Sequence, residues 1–326
     1  MRLRSLFAVV VAALVLSACS SGGGSATASK TVTLVTYDSW ALPDDLVAQF
    51  EKSSGYQLKV VTAGDAGQLT NKLVLTQGDP LGDVSFGVDN TFLSRATDAH
   101  VFADTPTEID HSAVCVDIDT DWFAAHHLNP PTGFDDLVNP TYKNLMVIPG
   151  ASTSSPGLAF LLATIASNQN SDAWQTYWQD LIANGAEIVD SWDTAFYNEF
   201  TQGGNGGKRP IVVSYDTDPA FAVTDGKSPI KSLLGTCFAQ QEYAGVLSNA
   251  KNSAGGQAFL TWLQSPGVQK ALPENMYVFP SAPGIELPDD WMKFAIEPTS
   301  PLTMDPAVIN GGRDGWLQEW TDIVTK

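Results

Sequence analysis

Positive charge is scarce in this chain. Seventeen Lys and Arg stand against 36 Asp and Glu over 326 residues, a formal net charge of −19. Nucleic acid and anionic membrane surfaces are held by clustered Lys and Arg, so neither is an expected partner. Histidine is rarer still. His100, His111, His126 and His127 include no pair at the i, i+4 spacing of a helical zinc site, and no metal is expected. The serines of "TSSPG" lack the glycine frame of a nucleophile elbow, and no glycine-rich phosphate loop occurs. No cofactor is implied. Carboxylates abound without forming a recognisable pair, so a secreted hydrolase stays open as the alternative from another class. The main expectation is a binding protein and not an enzyme.

Long apolar runs are lacking too, with one exception. "SLFAVVVAALVLS" follows Arg2 and Arg4 and ends in "LSAC", Leu16 to Cys19. It is too short to span a bilayer comfortably and has the flanks of a secretory leader. A cysteine at that junction is the pattern of a bacterial lipoprotein signal. Residues 1–18 are therefore expected to be removed, Cys19 to be lipidated, and residues 19–30 to serve as a flexible Gly/Ser tether. The expected location is extracytoplasmic, on the periplasmic side, with attachment to the membrane through the lipid anchor alone.

Cysteine is nearly absent elsewhere. Lipidation of Cys19 leaves Cys115 and Cys237 in an oxidising compartment, and a disulfide between them is the expectation.

About 300 residues remain after the leader, which suits two lobes better than one core. "KTVTLVTYDSW" reads as a strand, "LPDDLVAQFEKSSG" as a helix, "YQLKVVTA" as a strand, "DAGQLTNKLVLTQG" as a helix and "DVSFGVDNTFL" as a strand. Such alternation describes a doubly wound α/β sheet. The middle repeats it with "NLMVIPG", "STSSPGLAFLLATIASN", "SDAWQTYWQDLIANG", "AEIVD" and "IVVSYDTDPAF". "AVCVDID" and "GTCFAQQEYAGVL" bracket that block as two connecting strands, which places the disulfide at a hinge. Lobe 1 is then residues 31–112 and 240–285, and lobe 2 residues 113–239. "PENMYVFP" reads as extended chain, and residues 286–326 as C-terminal helices that could dock on lobe 2.

Strand exits carry the candidate site. Tyr37, Asp38, Asp65, Asp89, Trp192, Tyr215, Asp216 and Asp218 all stand where an open α/β sheet presents its ligand residues. Aromatic faces attract cations and stack on flat heterocycles, and carboxylates neutralise positive charge. Together they suit a small planar cation. Each ring taken singly is more readily explained by packing, and the pattern alone does not name the ligand.

The segments "TYDSW", "GVDNTFL", "STSSPGLAFLL", "SWDTAFYNEF", "VVSYDTDPAF", "SPGVQKALPENMYVFP" and "WLQEW" resemble, in this order, the thiamine-binding proteins of bacterial ABC importers. "SPGVQ" is common to many solute-binding proteins; "TYDS", "SSPGL" and "SYDTDPAF" are more specific. The resemblance spans nearly the whole mature chain. It implies the type II periplasmic-binding-protein fold, two doubly wound α/β lobes joined by a two-strand hinge. It also implies a receptor, expected to be monomeric, that hands thiamine, or its mono- or diphosphate, to an ABC permease. The family's contacts fall on Asp65 and Ala66, on Ser154 and Ser155, on Trp192, and on Tyr215, Asp216, Thr217, Asp218 and Pro219. Ala66 replaces a glycine, while Tyr277 and Phe221 stand at positions where the family has other cleft aromatics. Within the same fold, a polyamine receptor would favour more carboxylates and fewer rings. A ferric iron receptor generally uses adjacent tyrosines, and this chain has no Tyr-Tyr pair.

Overall fold

The computed structural model describes residues 29–168 and 173–326. The leader, Cys19 and the tether up to residue 28 lie outside the described residues. Among those described, no helix is long and apolar enough to cross a membrane.

Ten strands form one sheet: β1 (Thr31–Thr36), β2 (Gln57–Thr62), β3 (Val84–Asp89), β4 (Thr107–Asp119), β5 (Met146–Pro149), β6 (Glu187–Val189), β7 (Ile211–Tyr215), β8 (Ile230–Ser232), β9 (Phe238–Val246) and β10 (Phe279–Pro280). Their order is β2-β1-β3-β9-β4-β7-β5-β6, with β8 and β10 each pairing β4. β2, β1 and β3 run parallel, as do β6, β5 and β7. These two triads are the sheets of two α/β lobes. β3 and β7 are apolar runs buried along their length but for Tyr215, as strands covered on both faces should be.

The antiparallel pair β4 and β9 joins the lobes. β4 is thirteen residues long; it pairs β9 from Thr107 to Val114 and β7 from Val114 to Ile118. One strand therefore serves both lobes. Cys115 follows the last β4–β9 pair and Cys237 precedes β9; their sulfurs are bonded, with Cα atoms 4.1 Å apart. A third segment braces this point. Leu302 N–H donates to the Cys237 carbonyl at 2.8 Å, and Ala239 N–H donates to the Leu302 carbonyl at 2.9 Å.

Two apolar cores hold the layers. On one face of β1 and β3, Phe86 packs beneath the Asp44–Ser54 and Ser253–Leu263 helices, where Phe50 and Phe259 meet edge to face at 5.6 Å. The larger core surrounds the Ser155–Ser167 helix, which is buried on almost every side. It is contiguous from Val35, Leu69 and Val88 in the first lobe to Phe160 and Trp178 in the second.

One element differs from the sequence expectation. The helix Pro266–Met276 continues through Pro273 where extended chain is expected. Proline forfeits one ladder bond, but Leu272 and Pro273 are buried, and the helix stops only at Tyr277. There the backbone turns left-handed (φ +54°) and its N–H bonds the Leu272 carbonyl. The C-terminal helix Pro306–Val324 does pack on the second lobe, with Trp320 edge-on to Trp178 at 5.7 Å. It also touches the first, where Asn310 donates to Asp98 at 2.8 Å and Arg95 lies 3.7 Å from Asp314.

Candidate functional site

The carboxyl ends of the parallel strands open into a cleft between the lobes, the expected position for a ligand in sheets of this kind. Tyr37 follows β1. Asp65 caps the helix Ala66–Leu75, its Oδ1 accepting from the Ala66 amide. Trp192 enters a wide π-helical turn, Thr194–Glu199, after β6. Tyr215 ends β7, and Asp218 begins the short helix Asp218–Phe221. With Ser39, Ala66, Ser155, Glu242, Met276, Tyr277 and Val278 these residues line the cleft.

The lobes touch across this cleft. Trp192 N–H donates to Asp65 Oδ2 at 2.8 Å, Ser39 Oγ to Asp193 Oδ1 at 2.6 Å, and Thr217 Oγ1 to the Tyr277 carbonyl at 2.7 Å. The Gln68 amide also reaches the Thr153 carbonyl. A Cβ on Gly67 would lie 2.7 Å from that same carbonyl oxygen, so only glycine permits this approach.

The rings are organised. Trp192 stacks on Phe196 at 5.2 Å, and its Nε1–H donates to Ser214 Oγ at 2.8 Å. Tyr215 meets Trp192 at 5.7 Å with ring planes 61° apart. One indole face is thus covered by Phe196, and Tyr197 meets the indole edge-on at 5.4 Å.

The electrostatics are acidic throughout. Asp65, Asp218 and Glu242 line the cleft, and no Lys, Arg or His does. Burial pushes each of these carboxyls up, because desolvation penalises the charged form. Asp65 is pulled back down by the amides of Trp192 and Ala66 and the hydroxyl of Ser154. Glu242 and Asp218 are each backed by a buried carboxyl of β4, Asp110 and Asp117. At such depth two neighbouring carboxyls resist ionising together. Burial, then the nearby acidic groups, also raise the Tyr37 and Tyr215 hydroxyls far above their ordinary value, so both remain donors.

Of the residues singled out from the sequence, Tyr37, Asp65, Ala66, Ser155, Trp192, Tyr215, Asp218 and Tyr277 line the cleft. The others stand back from it. Asp38 is exposed and accepts from the Gly64 amide. Asp89 is wholly buried behind Gln240 and Thr91, its carboxyl raised to about 6 by desolvation. Ser154 is buried beside Asp65, and Thr217 is turned to the Tyr277 backbone. Asp216 points the opposite way; its Oδ1 accepts from the Ala113 amide at the hinge, and with Pro219 it lines a separate groove on the back of the lobe. Phe221 packs between Phe196 and Tyr277 at 5.3 and 4.9 Å. Ser39, Glu242, Met276 and Val278 complete the lining without having been singled out. Glu242 left a trace, since Gln240 and Glu242 alternate as polar residues on the buried face of β9.

Residues 107–295 match the family model described as bacterial extracellular solute-binding protein. The chain belongs to that family. As a solute-binding protein it has relatives along nearly its full length. It is 28% identical to the thiamine-binding periplasmic protein of Escherichia coli K12, covering 92% of this chain and 95% of the relative. It is 24% identical to the thiamine-binding periplasmic protein of Haemophilus influenzae, covering 96% and 98%. Among solved structures, a periplasmic thiamin binding protein superposes with a TM-score of 0.78 at 24% identity, over 91% of this chain and 96% of that one. Iron-bound HitA from Pseudomonas aeruginosa superposes with a TM-score of 0.68 at 16% identity, over 90% and 99%. At these identities the superpositions speak for the fold alone: the two-lobed α/β architecture of type II periplasmic binding proteins.

Proposed function

We propose that this solute-binding protein captures thiamine in the interlobe cleft and delivers it to an ABC-type permease. The observation that carries the reading is the lining. Tyr37, Trp192, Tyr215 and Tyr277 surround Asp65, Asp218 and Glu242 with no basic side chain among them. A flat ring with permanent positive charge gains from each kind of neighbour, through stacking and cation–π attraction at the rings and charge pairing at the carboxyls. Curated relatives bearing the thiamine-binding name over nine-tenths of the chain support the same ligand.

Trp192 and Tyr215 would stack on the thiazolium or aminopyrimidine ring. Asp65 and Asp218 would meet the charge and the amino group. Ser155 opens a thirteen-residue buried helix, a place where backbone amides receive a hydroxyl or the phosphate of a mono- or diphosphate ester. Closing the lobes expels water and strengthens each pairing. We infer further that Cys19 is lipidated after loss of residues 1–18, and that the monomeric domain works on the periplasmic side at the end of its tether.

A thermal-shift panel of thiamine, its mono- and diphosphate, spermidine and ferric citrate tests the reading. Thiamine at a hundred times its dissociation constant is expected to stabilise the protein by about 2.7 kcal/mol. The reading fails if no thiamine species shifts the melting temperature at millimolar concentration while spermidine or ferric citrate does, or if none of the panel does.

A further inference from the structure

Glu242 lies on the floor of the cleft, on the strand that joins the lobes, and is 5% exposed. Its Oε2 accepts from the Tyr37 hydroxyl at 2.9 Å. Directly opposite it in the β4–β9 ladder is Asp110, which is fully buried. Neither oxygen of Asp110 finds a donor among the described residues. Two ionised carboxylates are not sustained side by side in so dry a position, and a proton held between them supplies the missing donor.

The groups facing Glu242 from the surrounding elements are Tyr37 after β1, Asp89 of β3, Asp110 of β4, Asp65 at its helix N-terminus and Tyr215 of β7, with Glu108 acting on the Asp110 side of the pair. Every one is acidic or phenolic. Among the described residues no basic side chain faces Glu242, and the Tyr37 hydroxyl is the neutral donor left to offset a negative charge on it. A cation entering the cleft would supply the missing counter-charge.

We propose that Glu242 is the residue with which the cleft selects a cation, and that the proton it shares with Asp110 leaves for solvent as the positively charged ligand is seated. The O–H bond of the pair breaks, the proton passes to water, and the ligand's fixed charge takes its place beside Glu242. Asp110 does not line the cavity and acts as a positioning residue. The empty cleft thereby avoids standing as a bare cluster of anions, and a neutral molecule of the same shape gains nothing from Glu242. The inference deepens the thiamine reading and rests on it for the identity of the cation.

Isothermal titration of the full domain with thiamine between pH 5.5 and 8.5, in two buffers of different ionisation enthalpy, counts the protons released. The Glu242–Asp110 pair is expected to contribute up to one proton per thiamine, read as the difference between the parent and Asp110→Asn, with its share of the affinity rising by up to tenfold per pH unit until the empty pair has ionised, then levelling. Glu242→Gln should weaken binding at least tenfold and remove that share of the release. Asp110→Asn, which keeps a permanent donor beside Glu242, should bind as the parent does at high pH and lose that share of the pH dependence. Thiamine binding without proton release at any pH, or an unchanged proton count in Asp110→Asn, overturns the proposal. Carboxyl-carbon NMR of the empty protein reads the pair even if thiamine does not bind. With the Glu242 and Asp110 carboxyl carbons assigned, one of the two is expected still protonated at pH 7 in the parent, and Glu242 ionised in Asp110→Asn; both ionised at pH 6 in the parent overturns the proposal, whereas a failure of thiamine alone to bind counts against the ligand assignment.

Discussion

The amide of Trp192 in one lobe donates to Asp65 Oδ2 in the other at 2.8 Å. The residue that offers a ring to the cleft is thus fixed by the carboxylate that offers it a charge. Losing one partner should unlatch the other.

Asp65→Ala removes that latch, the cap of the Ala66–Leu75 helix and one cleft carboxylate together. A hydrogen bond to a charged group contributes roughly 1.5–3 kcal/mol, so thiamine affinity is expected to fall by about one to two orders of magnitude in calorimetry. Asp65→Asn keeps an acceptor for the amide and should lose less. Equal losses in the two variants would show that the charge, not the latch, carries the effect.

Trp192→Ala should weaken binding by about two- to thirtyfold, from the loss of a stacking and cation–π face of about 0.5–2 kcal/mol. It should also lower the melting temperature of the empty protein by several degrees, because the indole packs on Phe196 and bonds Ser214. Trp192→Phe retains the stack and forfeits only the Ser214 bond, so its melting point should fall between the two. An unchanged melting point for the alanine variant would mean that the ring is held less firmly than this packing implies.

Burial raises the Asp216 carboxyl to about 8 from an ordinary value of 3.8. The native chain therefore holds a proton there that the unfolded chain has already released. The associated stability is full below about pH 4 and is lost as the pH rises through 8. Asp89, raised to about 6, acts in the same direction. Melting temperatures of the empty domain should accordingly decline from pH 5 to pH 8. Asp216→Asn, whose amide oxygen can still accept from Ala113, should flatten the decline, and a melting temperature that climbs across this range would contradict the assignment.

The Cys115–Cys237 bond closes a loop with a sequence separation of 122. The double variant Cys115→Ala, Cys237→Ala should lose about 2–5 kcal/mol in chemical denaturation. Thiamine affinity should hold, since neither sulfur lines the cleft. Mass spectrometry of the alkylated, non-reduced protein should find both thiols unavailable; two modified cysteines would remove the basis of the stability prediction.

Strand exits were the legible part of this site, because a β-branched run ending in a polar aromatic needs only local chemistry to be noticed. Tyr37 and Tyr215 were readable for that reason. Asp216 and Asp218 show where local reading stops. Two residues apart on a strand they would share a face, but the chain leaves β7 at Tyr215 and turns into a short helix. That turn sends Asp218 into the cleft and Asp216 back to the hinge. Glu242 was hidden for the opposite reason: its significance lies in Asp110 and Tyr37, which are distant in sequence and meet it only in the folded ladder. Pro273 misled as a helix breaker because the burial that holds it in a helix is tertiary.

Because β4 passes unbroken from one lobe's sheet into the other's, opening cannot work like a flap on a loose joint. A turn of the lobes about β4, riveted near its midpoint by Cys115 and Cys237, would displace residues least there and most at the mouth, between Ser39 and Asp193. The helix Pro306–Val324 touches both lobes, through Trp320 on Trp178 in one and through Arg313 over Phe92 and the Asn310–Asp98 and Arg95–Asp314 contacts in the other. Turning the lobes about the strand would strain these first-lobe contacts, Asn310 with Asp98 and Asp314 with Arg95 among them. The back of the molecule is thereby a gauge on which the state of the cleft can be read without entering it.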